Sequence, residues 1–256
     1  DATVVAAARS FVCVRLATYE SQSEADVLLG VFRGRSGQLE NTTFALMDPG
    51  GTRVLGQAGR GPAFLVGGAR GPGQATSAAE VARFAARLNE VAGQYKPRAE
   101  ITALPQALDV RRALVVAACD GQAVLVVRIQ DAKQRDAVTK ALAALVWRDD
   151  LRGRFQVQVA RPDEELPALE GLGTKQGVFL VKPGAFGIDG EVLASVAPQA
   201  PASSLEALAR RAVREDHASP TDRRRHIQAG RAAGATWESE IPVTDPGAQQ
   251  ARERGR

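Results

Sequence analysis

One order of elements runs through this chain twice, and it limits the fold more than any single residue does. In the second half, Leu108 to Cys119 has the spacing of an amphipathic helix that Gly121 ends. Val124-Leu-Val-Val-Arg-Ile129 is an apolar run of the kind that forms a strand buried on both faces. Gln134 to Trp147 follows as a helix with Val138, Leu142, Leu145 and Val146 on one side. Phe155-Gln-Val-Gln-Val159 alternates as a half-buried strand, and Glu165 to Leu169 reads as a short helical turn. Val178-Phe-Leu-Val181 then passes through Lys182-Pro-Gly184 into a returning strand, Glu191 to Val196. A last helix carries Leu205, Leu208 and Ala212, with Ser203 or Ser204 as its cap.

The first half repeats much of this plan. Val4 to Arg9 reads as the end of a helix, and Phe11 to Tyr19 is a β-branched, apolar stretch predicted as a buried strand. Ser23 and Glu24 open a helix carrying Val27, Leu28, Val31 and Phe32, which Gly34 and Gly37 stop. Thr42 to Met47 is a strand, Asp48-Pro-Gly-Gly51 a tight turn, and Thr52 to Leu55 its antiparallel return. A Gly-rich loop spans Gly59 to Gly73, and a helix follows with Ala79, Ala82, Phe84, Ala86, Leu88 and Val91 on its apolar side. Phe44 to Leu55 corresponds to Phe179 to Leu193, and Phe11-Val-Cys-Val-Arg15 to Phe155-Gln-Val-Gln-Val159, as in an internal repeat. The expected organisation is residues 1–96, residues 97–215, and an extended basic tail at 216–256.

Composition closes off several function classes. No apolar run approaches the roughly 20 residues a membrane helix needs. The net charge is +4, and from Arg210 to Arg256 ten arginines face seven carboxylates. Acids interspersed among these arginines, with no interleaved aromatics, argue for a solvated tail and against a nucleic-acid surface. Cys13 and Cys119 are the only cysteines, too few for a disulfide framework or a four-cysteine zinc site. A first residue of Asp1 in place of an initiator Met is what removal of a signal peptide would leave, with export to a periplasmic or extracellular compartment, and equally what excision from a longer chain would leave.

The order helix, strand, helix, hairpin, helix in each half resembles the thioredoxin-like superfamily, over residues 1–95 and 100–215. The resemblance implies an α/β fold of tandem thioredoxin-like domains, each a mixed sheet flanked by helices. It also implies where redox chemistry would sit: a Cys-x-x-Cys opening the helix after the first strand, and a cis-proline just before the hairpin. The helix N-terminus lowers the thiol pKa at such a place. In the second unit the dithiol position falls at Asp131-Ala-Lys-Gln134, without cysteine, and the proline position at Gln176. In the first unit the proline position is Thr42, and the opening strand with its dithiol position would lie upstream of Asp1.

Other chemistry finds little support. Cys13, between Val12 and Val14, is expected to be a small buried hydrophobe, with a redox role only if exposed beside a positive charge. Cys119 closes a helix, where the dipole disfavours a thiolate. The histidines, His217 and His226, lie in the tail near Asp216 and Asp222 with no closed metal spacing, and neither folded unit offers a base for a Ser or Cys nucleophile. Gly67 to Gly73 lacks the Gly-Lys-Ser/Thr of a P-loop, and no cofactor motif is present. Trp237, Ile241 and Val243 place apolar groups in a polar tail and are candidates for docking on a protein partner or on another copy of the chain. The expected function is a non-catalytic scaffold in assembly or protein–protein interaction. The alternative is thiol–disulfide exchange through an upstream dithiol or through Cys13.

Overall fold

The computed structural model describes residues 1–16, 18–19, 21–33, 37, 39, 43–67, 77–96, 103–166, 168–215 and 222–235. The chain divides into two compact units, and Thr42, His217, Trp237, Ile241 and Val243 lie outside the described residues.

The second unit, Arg98–Thr236, is built on a five-stranded mixed sheet with helices on both faces. Its elements are α4 (Val110–Asp120), β1 (Val124–Arg128), α5 (Ala132–Val146), β2 (Gln156–Val159), β3 (Leu169–Glu170), β4 (Gly177–Pro183), β5 (Gly190–Val196), α6 (Ala202–Arg214) and α7 (Arg223–Ala232). The strand order is β2-β1-β4-β5-β3. β1 runs parallel to β2 and antiparallel to β4, β4 is antiparallel to β5, and the short β3 lies parallel to β5. The β1–α5–β2 crossover explains the parallel pair, since only a connection of that length can return a strand in the same direction.

Alternate residues of the central strands feed two cores. Leu125 and Val127 of β1 and Val178 and Leu180 of β4 meet Val138, Leu142 and Val146 of α5 and Leu205, Leu208 and Ala212 of α6. On the other face, Val124 and Val126 of β1 and Phe179 and Val181 of β4 meet Val110, Ala113, Leu114 and Ala117 of α4. Burial on both faces is why β1 reads as an unbroken apolar run. Gly121 ends α4 in the left-handed conformation (φ 68°), as its sequence position predicts.

Three local readings are corrected in this unit. Glu165 to Leu169 forms no helix among its described residues. Leu166, Leu169, Leu172 and Lys175 are linked by successive N–H to C=O bonds three residues apart, and Leu169–Glu170 pairs with β5. Leucines at a spacing of three mimic a helix because they all turn towards the α4 core. α6 begins one turn early: Pro201 occupies its cap position with φ −63°, so Ser203 and Ser204 lie within the first turn and neither caps it. The segment read as an extended tail contains α7, capped by Asp222, whose carboxylate accepts from Arg225 N at 3.0 Å.

The first unit comprises Asp1–Pro97 and Trp237–Arg256, and helices are the regular elements among its described residues. It holds α1 (Ala2–Ala8), α2 (Gln22–Val31), a 3-10 turn at Pro62–Val66 and α3 (Ala78–Gly93). Ser77 and Glu80 form a capping box that starts α3: Glu80 N donates to Ser77 Oγ, and Ser77 N to Glu80 Oε2. Ala85, Leu88 and Val91 form its buried stripe, while Ala79, Ala82 and Ala86 are exposed, because the larger side chains at helical spacing decide which face turns inward.

The strand expected at Phe11–Tyr19 does not form. Val12 is 59% and Val14 73% exposed, while Tyr19 is buried and its hydroxyl donates to the Leu39 carbonyl. β-branched residues favour a strand only where a neighbour takes up their backbone groups, and no strand of the first unit is present among the described residues to do so. The predicted hairpin survives as two isolated antiparallel bridges, Phe44 with Gly59 and Met47 with Val54. Its turn is as read: Asp48 accepts from Thr52 N at 2.9 Å and Arg53 N at 2.8 Å. No helix among the described residues is long and apolar enough to cross a membrane.

Candidate functional site

The most constructed polar locus of the second unit lies where β1 ends, α5 begins and β4 starts. Antiparallel register sets Arg128, the last residue of β1, opposite Gly177, the first of β4. Gln130, two residues beyond Arg128, meets Gln176, the residue that precedes Gly177, across the strand ends. Gln130 N donates to Gln176 Oε1 at 3.0 Å, and Gln176 Nε2 donates to Gln130 Oε1 at 3.4 Å. One carboxamide thus meets both the backbone and the side chain of the facing glutamine.

Asp131 caps α5, its Oδ1 accepting from Gln134 N at 2.8 Å. That bond occupies one of the four N–H groups a helix start leaves without an intrahelical partner. Arg135 reaches back from the first turn, its Nη1 donating to the carbonyls of Ile129 at 3.1 Å and Gln130 at 3.3 Å. Arg128 Nη1 donates to the Gly173 carbonyl across the turn that precedes β4. Gln130, Asp131, Lys133, Gln134 and Gln176 are all exposed.

This corner brings together the two positions that sequence comparison singles out, Asp131–Gln134 and Gln176. It adds Gln130, which sequence reasoning missed. The available signal was its place immediately after a buried strand and before a helix cap. No thiol stands among these groups. The corner offers hydrogen-bond donors and acceptors held in a fixed register.

A second charged cluster ties the end of α5 to α6. Arg148 meets Asp150 at 3.1 Å and Glu206 at 3.0 Å, and Arg210 meets Glu206 at 2.9 Å and Asp150 at 3.1 Å. Hydrogen bonding from Arg148 holds the Asp150 carboxyl below its ordinary value, and Arg210 followed by Arg148 does the same for Glu206. The Arg148 guanidinium is raised in turn by Asp150 and then Glu206. Two cations on two carboxylates compensate each other, so the cluster reads as a clamp between helices.

The remaining candidates are dispersed. Cys13 is exposed, not buried, because no strand among the described residues pairs with the segment carrying it; Cys119 is exposed in the last turn of α4. Both are free thiols. His226 lies on α7 with its ring 5.0 Å from that of Phe186 in the β4–β5 turn. Among the described residues no three potential metal ligands come together. No known protein family, curated protein or solved structure matches this chain.

Proposed function

We propose that the second unit is a thioredoxin-like module without its dithiol, serving as a rigid scaffold for protein–protein contact and not as a catalyst. The strand order β2-β1-β4-β5, parallel in its first pair and antiparallel in the rest, with α5 and α6 on one face and α4 on the other, supports the fold. The observation that carries the functional reading is the Gln130–Gln176 pair. It fills the corner where a thioredoxin-like enzyme would set its cis-proline against its thiols, with two carboxamides bonded to each other. The peptide bond before Gln176 is trans.

Restoring the missing chemistry tests both halves of this proposal. Asp131→Cys with Gln134→Cys places two thiols three residues apart at the start of α5, and Gln176→Pro supplies the third element. The triple variant is expected to form an intrachain disulfide and to reduce insulin in the presence of dithiothreitol, while the parent chain does not. A parent chain as active as the triple variant overturns the scaffold reading. A triple variant that folds, as judged by circular dichroism, but cannot close the disulfide overturns the thioredoxin-like placement.

A second reading rests on Cys13. Its exposure leaves the thiol open to disulfide exchange, which a buried residue would not allow. Loss of any parent activity in Cys13→Ser, with Cys119→Ser unaffected, would favour it.

A further inference from the structure

An open groove of about 700 Å³ lies in the first unit, between the 3-10 turn Pro62–Val66 and one face of α3. Two kinds of residue line it. Phe64, Leu65 and Val66 give an apolar wall from the turn, while Arg83 and Arg87 come from α3. The two arginines are four residues apart, so they stand on the same helix face one turn from each other.

Their charge is only partly answered. Glu90 takes Arg87 through Nη1 at 2.9 Å, with the glutamate side chain 61% exposed and the arginine 30%. The carboxylate therefore sits outward and Arg87 in the wall. Arg87 Nη2 is directed at Gly56, 3.8 Å from where a Cβ on that residue would stand. Arg83 has no carboxylate partner among the described residues. The remaining lining residues, Gly56, Gln57, Gly67 and Ala86, carry no charge. One positive charge is thus left over beside an apolar surface.

We propose that this groove binds a small monocarboxylate with an aromatic or aliphatic body. The carboxylate is taken by Arg83 and the free edge of Arg87, and the body lies on Phe64, Leu65 and Val66. The planar guanidinium suits a carboxylate better than a lysine would, because it can donate two parallel hydrogen bonds. The site lies wholly in the first unit, so it stands or falls independently of the reading of the second.

Three probes with one body and different heads test it: 4-phenylbutyrate, its neutral amide and 4-phenylbutylamine, each titrated into the full chain by calorimetry with amide chemical shifts followed in parallel. The carboxylate is expected to bind about tenfold or more tightly than the amide, with the amine weakest, since a hydrogen bond to a charged group is at stake. The binding should weaken with added salt, and shifted resonances should fall in 56–67 and α3. Arg83→Gln, an exposed substitution, should lower carboxylate affinity about tenfold with unchanged circular dichroism. Equal binding of the three probes, no binding of the carboxylate, unchanged affinity in Arg83→Gln, or shifts confined to the second unit would each overturn the proposal.

Discussion

Gly177 is the residue on which the candidate corner of the second unit turns. It starts β4, its φ is +145°, and a Cβ placed on it would stand 2.1 Å from the backbone carbonyl oxygen of Val196. Van der Waals contact cannot be restored by rotating a side chain, because the obstacle is backbone held in the β4–β5 ladder where Val178 faces Val196. In Gly177→Ala two costs add. An L-residue at this φ carries strain of about 1–3 kcal/mol, and forcing the strands apart costs about another 1–3 kcal/mol. The expected loss is therefore about 2–6 kcal/mol, a large part of a typical domain's stability. Gly173→Ala is the control. Its φ of +53° is also left-handed, but no atom lies within 4 Å of the added carbon, so only about 1–2 kcal/mol is expected. Urea unfolding of the full chain, followed by far-ultraviolet circular dichroism, measures both. If Gly177→Ala is no more destabilising than Gly173→Ala, the close approach of Val196 does not govern this corner and the argument fails.

Two further outcomes follow from electrostatics and exposure. The carboxyls of Asp48, Asp150 and Glu206 all lie below their ordinary values: Asp48 through the backbone N–H groups of Arg53 and then Thr52, the other two through Arg148 and Arg210. A lowered folded-state value means the contribution is whole above the unfolded value, near pH 4, and is lost as pH falls through the folded one. Asp48→Asn should therefore narrow the gap between stability at pH 6 and at pH 3, and an unchanged gap in acid titrations would contradict the role given to the Asp48 turn. Both thiols are exposed, so an aromatic disulfide reagent should release two equivalents per native chain without denaturant, with only one from Cys13→Ser; zero equivalents from the parent would contradict the exposed placement of Cys13.

The contrast between Phe11–Arg15 and Val124–Arg128 shows where sequence patterning stops being informative. Both runs are β-branched and apolar, and both read as buried strands. Val124–Arg128 has β2 on one side and β4 on the other to take its N–H and C=O groups, so the pattern became a central strand. Phe11–Arg15 has no such neighbours among the described residues, so Val12, Cys13 and Val14 face water. Likewise, Glu165 to Leu169 looked helical because the spacing of Leu166 and Leu169 records which side chains turn inward, not which backbone bonds form.

Properties local to the chain were settled by the sequence alone: the central strand–helix–strand segment and the β4–β5 hairpin of the second unit, the Gly121 stop of α4, the Asp48 turn, and the lack of cysteine at Asp131–Gln134. Each depends on a few consecutive residues and on backbone preferences that act over one turn. Tertiary structure decided what depends on partners distant in the chain. It set Gln130 against Gln176 across 46 residues, placed Arg83 and Arg87 beside Phe64, and left Cys13 in solvent. A hydrogen bond or a groove is a relation between surfaces, and only the folded chain determines which surfaces meet.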